Sequence, residues 1–167
     1  RPNRITGRLP EREFDNEDEL MGSSSYGVGY ADISIRNADH WVFEGTGLIN
    51  GDTLKDLVGL EYHGYPLKKD STLAVLGVGK IKPNKFAAEG PEDHAMVIYT
   101  AARGNFVFNA GTCFWSMPLS SPPGFKNPLN NQGEDAREVI DFTKEDPRTQ
   151  RITSNLLDRA IKGPDGK

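Results

Sequence analysis

Apolar positions in this chain fall mostly in short runs bounded by glycine, proline, asparagine or serine, a spacing that predicts strands joined by loops. Ala31-Asp32-Ile33-Ser34-Ile35-Arg36 alternates apolar and polar residues, so a strand there turns one side to a core and the other to water, and Asn37-Ala38-Asp39 breaks it. Val58-Gly59-Leu60-Glu61-Tyr62 reads as a second strand. Ser71 to Val78 is a nearly continuous apolar run and predicts a strand buried on both faces. Ala95–Thr100 and Asn105–Asn109 flank Ala101-Ala102-Arg103-Gly104, a hairpin pattern with glycine at the turn, and Gly111 to Trp115 is expected to extend the second arm. Two runs echo each other. Trp41-Val42-Phe43 and Phe106-Val107-Phe108 each lead into a Gly-Thr pair, and both read as strands broken where the backbone turns or approaches something closely.

Between these runs, Met21 to Tyr30 is rich in glycine, serine and tyrosine and reads as a loop. Met117 to Gly133, dominated by proline and asparagine, reads as a long irregular one. The period changes at the end of the chain. Asp146 is placed to cap a helix with Pro147 at its first position; Ile152, Leu156, Leu157 and Ala160 recur at helical spacing, and Gly163-Pro164 stops it. The expected class is α/β: a mixed, strand-rich sheet with a C-terminal helix. Residues 1–20 carry many charges and little to bury, and read as an extended charged lead-in; 21–163 form a single domain and 164–167 a tail.

Composition narrows the function classes. With 167 residues the chain is long enough for one core, and a 36% hydrophobic share with 18 glycines and 11 prolines suits strands and loops. The net charge is −4 and lysines are scattered among acids, so no basic face for nucleic acid is expected. No run approaches the roughly 18 apolar residues that span a bilayer, so no membrane partner is expected either. The single cysteine, Cys113, excludes an internal disulfide and fits a reducing, cytoplasmic setting. The chain starts at Arg1 with no signal-peptide pattern, and reads as a processed product or an excised piece of a longer protein.

Glu61 is the first candidate for chemistry. A carboxylate beside Leu60 and Tyr62 at a strand end can be desolvated, which raises its proton affinity toward acid–base work; the alternative is an outward-facing glutamate paired with Lys68 or Lys69. His63 lies two residues on, so both face the same side of a strand, as an acid–base pair or a two-ligand metal corner. His40, His63 and His94 can equally be ordinary loop histidines, and no further His/Cys/Asp cluster completes a metal site. Cys113, inside an aromatic strand with no adjacent charge, reads as buried and inert. Asn109 and Thr112 can donate to a developing oxyanion or simply cap the turn they flank. Trp115, with Phe114, Trp41 and Phe43, reads as core before it reads as a substrate pocket. Gly27-Val28-Gly29 and Gly77-Val78-Gly79-Lys80 both lack the rest of a nucleotide-binding turn.

Several motifs in order resemble a known family. Trp41-Val-Phe-x-Gly-Thr-Gly-Leu48, Asn50-Gly-Asp52 and Leu57-Val-Gly-x-Glu61, then Phe106-x-Phe-Asn-Ala-Gly-Thr-x-x-Trp115 and Asp146-Pro-Arg-x-Gln-Arg-Ile-Thr-x-Asn-Leu-Leu-Asp158, are similar to the C-terminal domain of the N,N-dimethylformamidase large (beta) subunit. The resemblance covers roughly residues 17–162 and includes Glu17-Asp-Glu-Leu-Met-Gly22. It implies part of a three-layer fold related to class I glutamine amidotransferases. It also implies an amidohydrolase that splits a small formamide into formate and an amine. Such an enzyme uses an iron held by two tyrosines and a glutamate, with ligands expected outside this chain. Expected partners are the rest of the large subunit, a small subunit and a small-molecule amide. By the same resemblance Glu61, and Glu61 only, matches an active-site acid; the residues themselves add His63 as the second catalytic candidate and Asn109, Thr112 and Trp115 on the substrate side. His63 departs from the family pattern, which often has an acid there, and Cys113 replaces a more usual aliphatic residue. Two rival readings remain: a non-catalytic binding or assembly domain on the same fold, and an amidotransferase-like enzyme with Cys113 as nucleophile, which requires an accessible thiol.

Overall fold

Alternation along Ala31–Ile35 is realised as a strand whose first, third and fifth side chains are buried, and the rest of the sheet is laid around it. The structure is a computed structural model, and it describes residues 20–23, 26–59, 61–66, 72–82, 91–101, 104–120 and 145–163. Its strands are β1 (Tyr26–Val28), β2 (Ala31–Ile35), β3 (Thr53–Val58), β4 (Glu61–His63), β5 (Leu73–Lys80), β6 (Asp93–Thr100) and β7 (Phe106–Asn109), followed by the helix α1 (Pro147–Lys162). Five strands form one sheet in the order β3-β2-β5-β6-β7, and β1 pairs with β4 in a separate two-stranded ribbon. Every one of these pairings is antiparallel. The sheet-rich α/β architecture with a C-terminal helix is therefore the expected class.

The hairpin β6–β7 matches its pattern, with Thr100 opposite Phe106 and Val97 opposite Asn109. Four expectations are corrected. Trp41–Phe43 is a short 3-10 helix rather than a strand, capped by His40, whose Nδ1 accepts from the Val42 amide. Residues 26–28, expected within a loop, form β1. The strand buried along most of its length is β6, where His94 to Ile98 are all buried; β5 is only half-buried from Leu73 to Val75. Just after β4, Gly64 bridges to His94 near the start of β6. Finally, Gly111–Trp115 does not prolong β7 but turns, and Met117–Leu119 begins the expected irregular stretch as a 3-10 turn. Residues 121–133 of that stretch, the lead-in up to residue 19, Lys68, Lys69 and the tail 164–167 lie outside the described residues.

The expected strand through Val58–Tyr62 is two strands in two sheets. At Gly59 a Cβ would stand 1.9 Å from Cε2 of Phe114, so the ring rests on bare backbone there. The Gly59 amide donates to Thr112 Oγ1 (3.0 Å), which also accepts from the Phe114 amide (3.0 Å) and can donate to the Leu57 or Gly59 carbonyl (3.0 and 3.1 Å). One hydroxyl thus uses its whole bonding capacity to join the end of β3 to the turn after β7. The Gly59 amide is taken out of any ladder, and β4 leaves for its own partner.

Helix α1 begins where Asp146 accepts from the Arg148 amide (2.8 Å), with Pro147 at the first position. Burial pushes the Asp146 carboxyl up, but its bonds from Arg148 outweigh this and hold it below the usual carboxylate range. The helix buries Thr149, Ile152 and Leu156, while Leu157 is 59% exposed and Ala160 lies at the surface. Helical spacing placed all four on one face; only the row through Ile152 and Leu156 meets the rest of the core. Asn155 Nδ2 donates to the carbonyls of Val42 and Glu44 (2.9 and 2.8 Å), so the helix also satisfies the end of the 3-10 turn it covers. Among the described residues no helix is long and apolar enough to cross a membrane, which says nothing of strands.

His94 is fully buried in β6, and its Nε2 donates to the Ala110 carbonyl (2.8 Å), leaving Nδ1 buried without a partner. Burial, with a smaller push from the nearby His63, outweighs that carbonyl and lowers its pKa to about 4 from 6.5. A buried neutral histidine stabilises the fold fully above pH 6.5 and less as pH falls toward 4, because the unfolded chain takes up the proton first. Between pH 6.5 and 4, about 3 kcal/mol of unfolding free energy should be lost through this residue. His94→Gln, which keeps a donor for Ala110, should remove that share of the slope in urea titrations across pH. Gly59→Ala should cost about 3 kcal/mol or more by overpacking against Phe114, and adding Phe114→Leu should restore part of it, read from urea midpoints.

Candidate functional site

The ribbon β1–β4 carries the sequence candidates to one end of the main sheet. Tyr26 pairs with His63 and Val28 with Glu61, while bridges from Tyr62 to Thr112 and from Gly64 to His94 tie β4 to the residues after β7 and to β6. The His63 amide donates to the Gly111 carbonyl (2.9 Å). Alternation then sets the side chains: Tyr62 is buried, and its phenol donates to the Pro91 carbonyl, whereas Glu61 and His63 take the opposite side. Glu61 is exposed, so the desolvated carboxylate expected from its apolar neighbours is not what the fold produces.

His63 is half-buried and tightly held. Its Nδ1 lies 3.1 Å from Ser23 Oγ and 3.0 Å from Asn109 Nδ2, and Asn109 Nδ2 also donates to Ser23 Oγ (2.7 Å). Ser23 and Asn109 are 3% and 7% exposed, so this is a buried polar cluster whose members satisfy one another. The other end of the Asn109 amide is pinned as well, because Oδ1 accepts from the Gly111 amide (2.8 Å). Gly111 allows that turn. Its φ is +66°, and a Cβ would meet the Ala95 carbonyl at 2.5 Å and His94 Nε2 at 2.8 Å. Asn109 both caps its turn and reaches His63.

The remaining candidates separate. Thr112 spends its hydroxyl on backbone and caps the turn. Trp115 is half-buried; its Nε1 donates to Thr153 Oγ1 of α1 (3.2 Å) and its ring meets Phe108 edge-on at 5.3 Å, so it anchors the helix to β7. Cys113 is exposed, contrary to the buried thiol expected, because the chain turns there instead of continuing a strand. No described histidine nitrogen is bonded to it: Nδ1 of His63, Nε2 of His94 and Nδ1 of His40 are engaged elsewhere. Ser23 was not singled out by sequence. It sits 40 residues from His63 and 86 from Asn109, inside a stretch that reads as loop, and nothing local marks it.

Among the described residues, no group of three or more His, Cys, Asp or Glu side chains is placed to hold a metal ion. The phenols of Tyr62 and Tyr99 donate to the carbonyls of Pro91 and Leu20.

Comparison with known proteins bears on what this cluster belongs to. A search of curated proteins finds no match. The family model described as N,N-dimethylformamidase beta subunit-like, C-terminal, matches residues 1–132. That span holds β1 to β7 together with Ser23, Glu61, His63 and Asn109, and it includes the lead-in before residue 17; α1, whose motif had been read into the resemblance, lies beyond it. With most of its length matched, including both sheets and the whole polar cluster, the chain belongs to the N,N-dimethylformamidase beta subunit-like, C-terminal family.

Proposed function

We propose that the chain contributes to an amidohydrolase that cleaves a small, formamide-like amide. In this reading it works as one part of a larger assembly that includes the rest of a large subunit and a small subunit. The family supports the reaction class. The observation that carries the reading is the placement of Glu61 and His63 on one side of β4, with His63 immobilised by buried Asn109 and Ser23. A buried polar cluster costs desolvation, and fixing a half-exposed imidazole is a use for it that general sheet stability does not require. Glu61 would orient or deprotonate the attacking water, or protonate the leaving amine, in a site completed by other segments. Iron, with ligands outside the described residues, a cytoplasmic setting, and a three-layer arrangement related to class I glutamine amidotransferases belong to the same proposal.

A specific observation favours the assembly-domain reading as a second possibility. Leu157 and Ile161 are one helical turn apart on α1 and are 59% and 83% exposed. The two readings diverge on one substitution. In the full-length protein, Glu61→Gln should lower kcat/KM for small formamides by about 10²–10⁴, measured as formate release. Because Glu61 is exposed, thermal unfolding should stay unchanged. Unaltered turnover in a folded variant would overturn the catalytic role of Glu61, and a parent protein inert toward amides would favour the assembly domain.

A further inference from the structure

The polar cluster contains enough fixed donors to decide where the His63 proton sits. The Gly111 amide can only donate, so the Asn109 atom it meets at 2.8 Å is the acceptor, Oδ1, and the amide cannot be turned over without setting two donors face to face. Nδ2 is thereby aimed at Ser23 Oγ (2.7 Å) and His63 Nδ1 (3.0 Å); a third acceptor, the Met21 carbonyl, lies farther off at 3.3 Å. Ser23 Oγ and His63 Nδ1 are the two nearer acceptors, and the Nδ2–Nδ1 separation of 3.0 Å is that of an N–H meeting a lone pair. On that contact His63 Nδ1 presents its lone pair, and Ser23, which accepts from Asn109, can turn its own hydroxyl hydrogen to the same nitrogen. The ring proton is left on Nε2, which has no partner among the described residues, on the side of β4 shared with Glu61.

This assignment removes two roles open to His63 on sequence alone. A general base or a metal ligand acting through Nε2 needs a lone pair there and a proton on Nδ1, the arrangement that Asn109 opposes. What remains is donation. Resting on the amidohydrolase reading above, we infer that His63 is a hydrogen-bond donor, through Nε2–H, to the carbonyl oxygen of the amide substrate, and that Asn109 and Ser23 are the positioning residues that hold this tautomer. A donor fixed before substrate arrives stabilises negative charge as it develops on that oxygen, with no reorganisation in the step itself.

The test reads the proton and the chemistry separately. In full-length protein labelled with 15N-histidine, with the His63 signals assigned by their loss in His63→Gln, two-bond 1H–15N correlations should show the proton on Nε2. A proton on Nδ1 overturns the inference. Asn109→Asp, the same shape with acceptors only, should move the proton to Nδ1; an unmoved proton in the folded variant removes Asn109 as the positioning residue, and the wild-type spectrum decides the tautomer if that variant does not fold. In turnover, His63→Gln retains a donor near Nε2 and should keep kcat within about tenfold, whereas His63→Phe should lose about 10²–10³. Equal losses in the two variants, with wild-type turnover intact, overturn the donor role and leave the amidohydrolase reading standing. A wild-type protein inert toward amides instead removes that reading and the carbonyl assignment together, while the spectrum still decides the tautomer.

Discussion

The hydroxyl of Thr112 is the junction on which the arrangement of this chain turns. It accepts from the amides of Gly59 and Phe114 and donates to the end of β3, joining two segments more than fifty residues apart. Phe114, drawn down by the same turn, needs the bare backbone of Gly59 beneath its ring. An apolar run that would otherwise make one long strand is split there, and its second half pairs with β1. Everything proposed for the site follows from that redirection, because it is β4 that presents Glu61 and His63.

A second constraint follows three residues upstream. Asn109 closes β7, and its side chain spans from the Gly111 amide to Ser23 and His63. Gly111 makes the turn possible by tolerating both a positive φ and the close approach of Ala95 and His94. Buried polar groups of this kind add little net stability when satisfied and cost much when one partner is lost. Their value lies in holding one geometry. The neighbouring His94 belongs to the same corner but works differently: it has a single bonded nitrogen, stays neutral, and links the stability of the corner to pH.

Where local chemistry dominates, the sequence was readable. The alternation in Ala31–Ile35, the glycine-turned hairpin of β6 and β7, and the Asp146–Pro147 start of α1 each depend on neighbours a few residues away. The misreadings share one cause. Trp41–Phe43 has the composition of a strand, but the His40 side chain holds its second amide and α1 takes its last carbonyls, and it coils. Glu61 has apolar neighbours in sequence, yet those neighbours turn away from it and leave it exposed. Leu157 has the right period for a buried face, but the core lies one row away.

The sequence by itself determined the class of elements, the family motifs and the candidates Glu61, His63 and Asn109, because periodicity, capping and turn residues act over a few positions. Only the tertiary fold brings the Thr112 hydroxyl to the Leu57 carbonyl and the Trp115 indole to Thr153, exposes Cys113, and joins Ser23 to His63 and Asn109. Those outcomes depend on which distant donors and acceptors meet across folded strands. A hydrogen bond between residues 86 apart leaves no mark on the order of the residues between them.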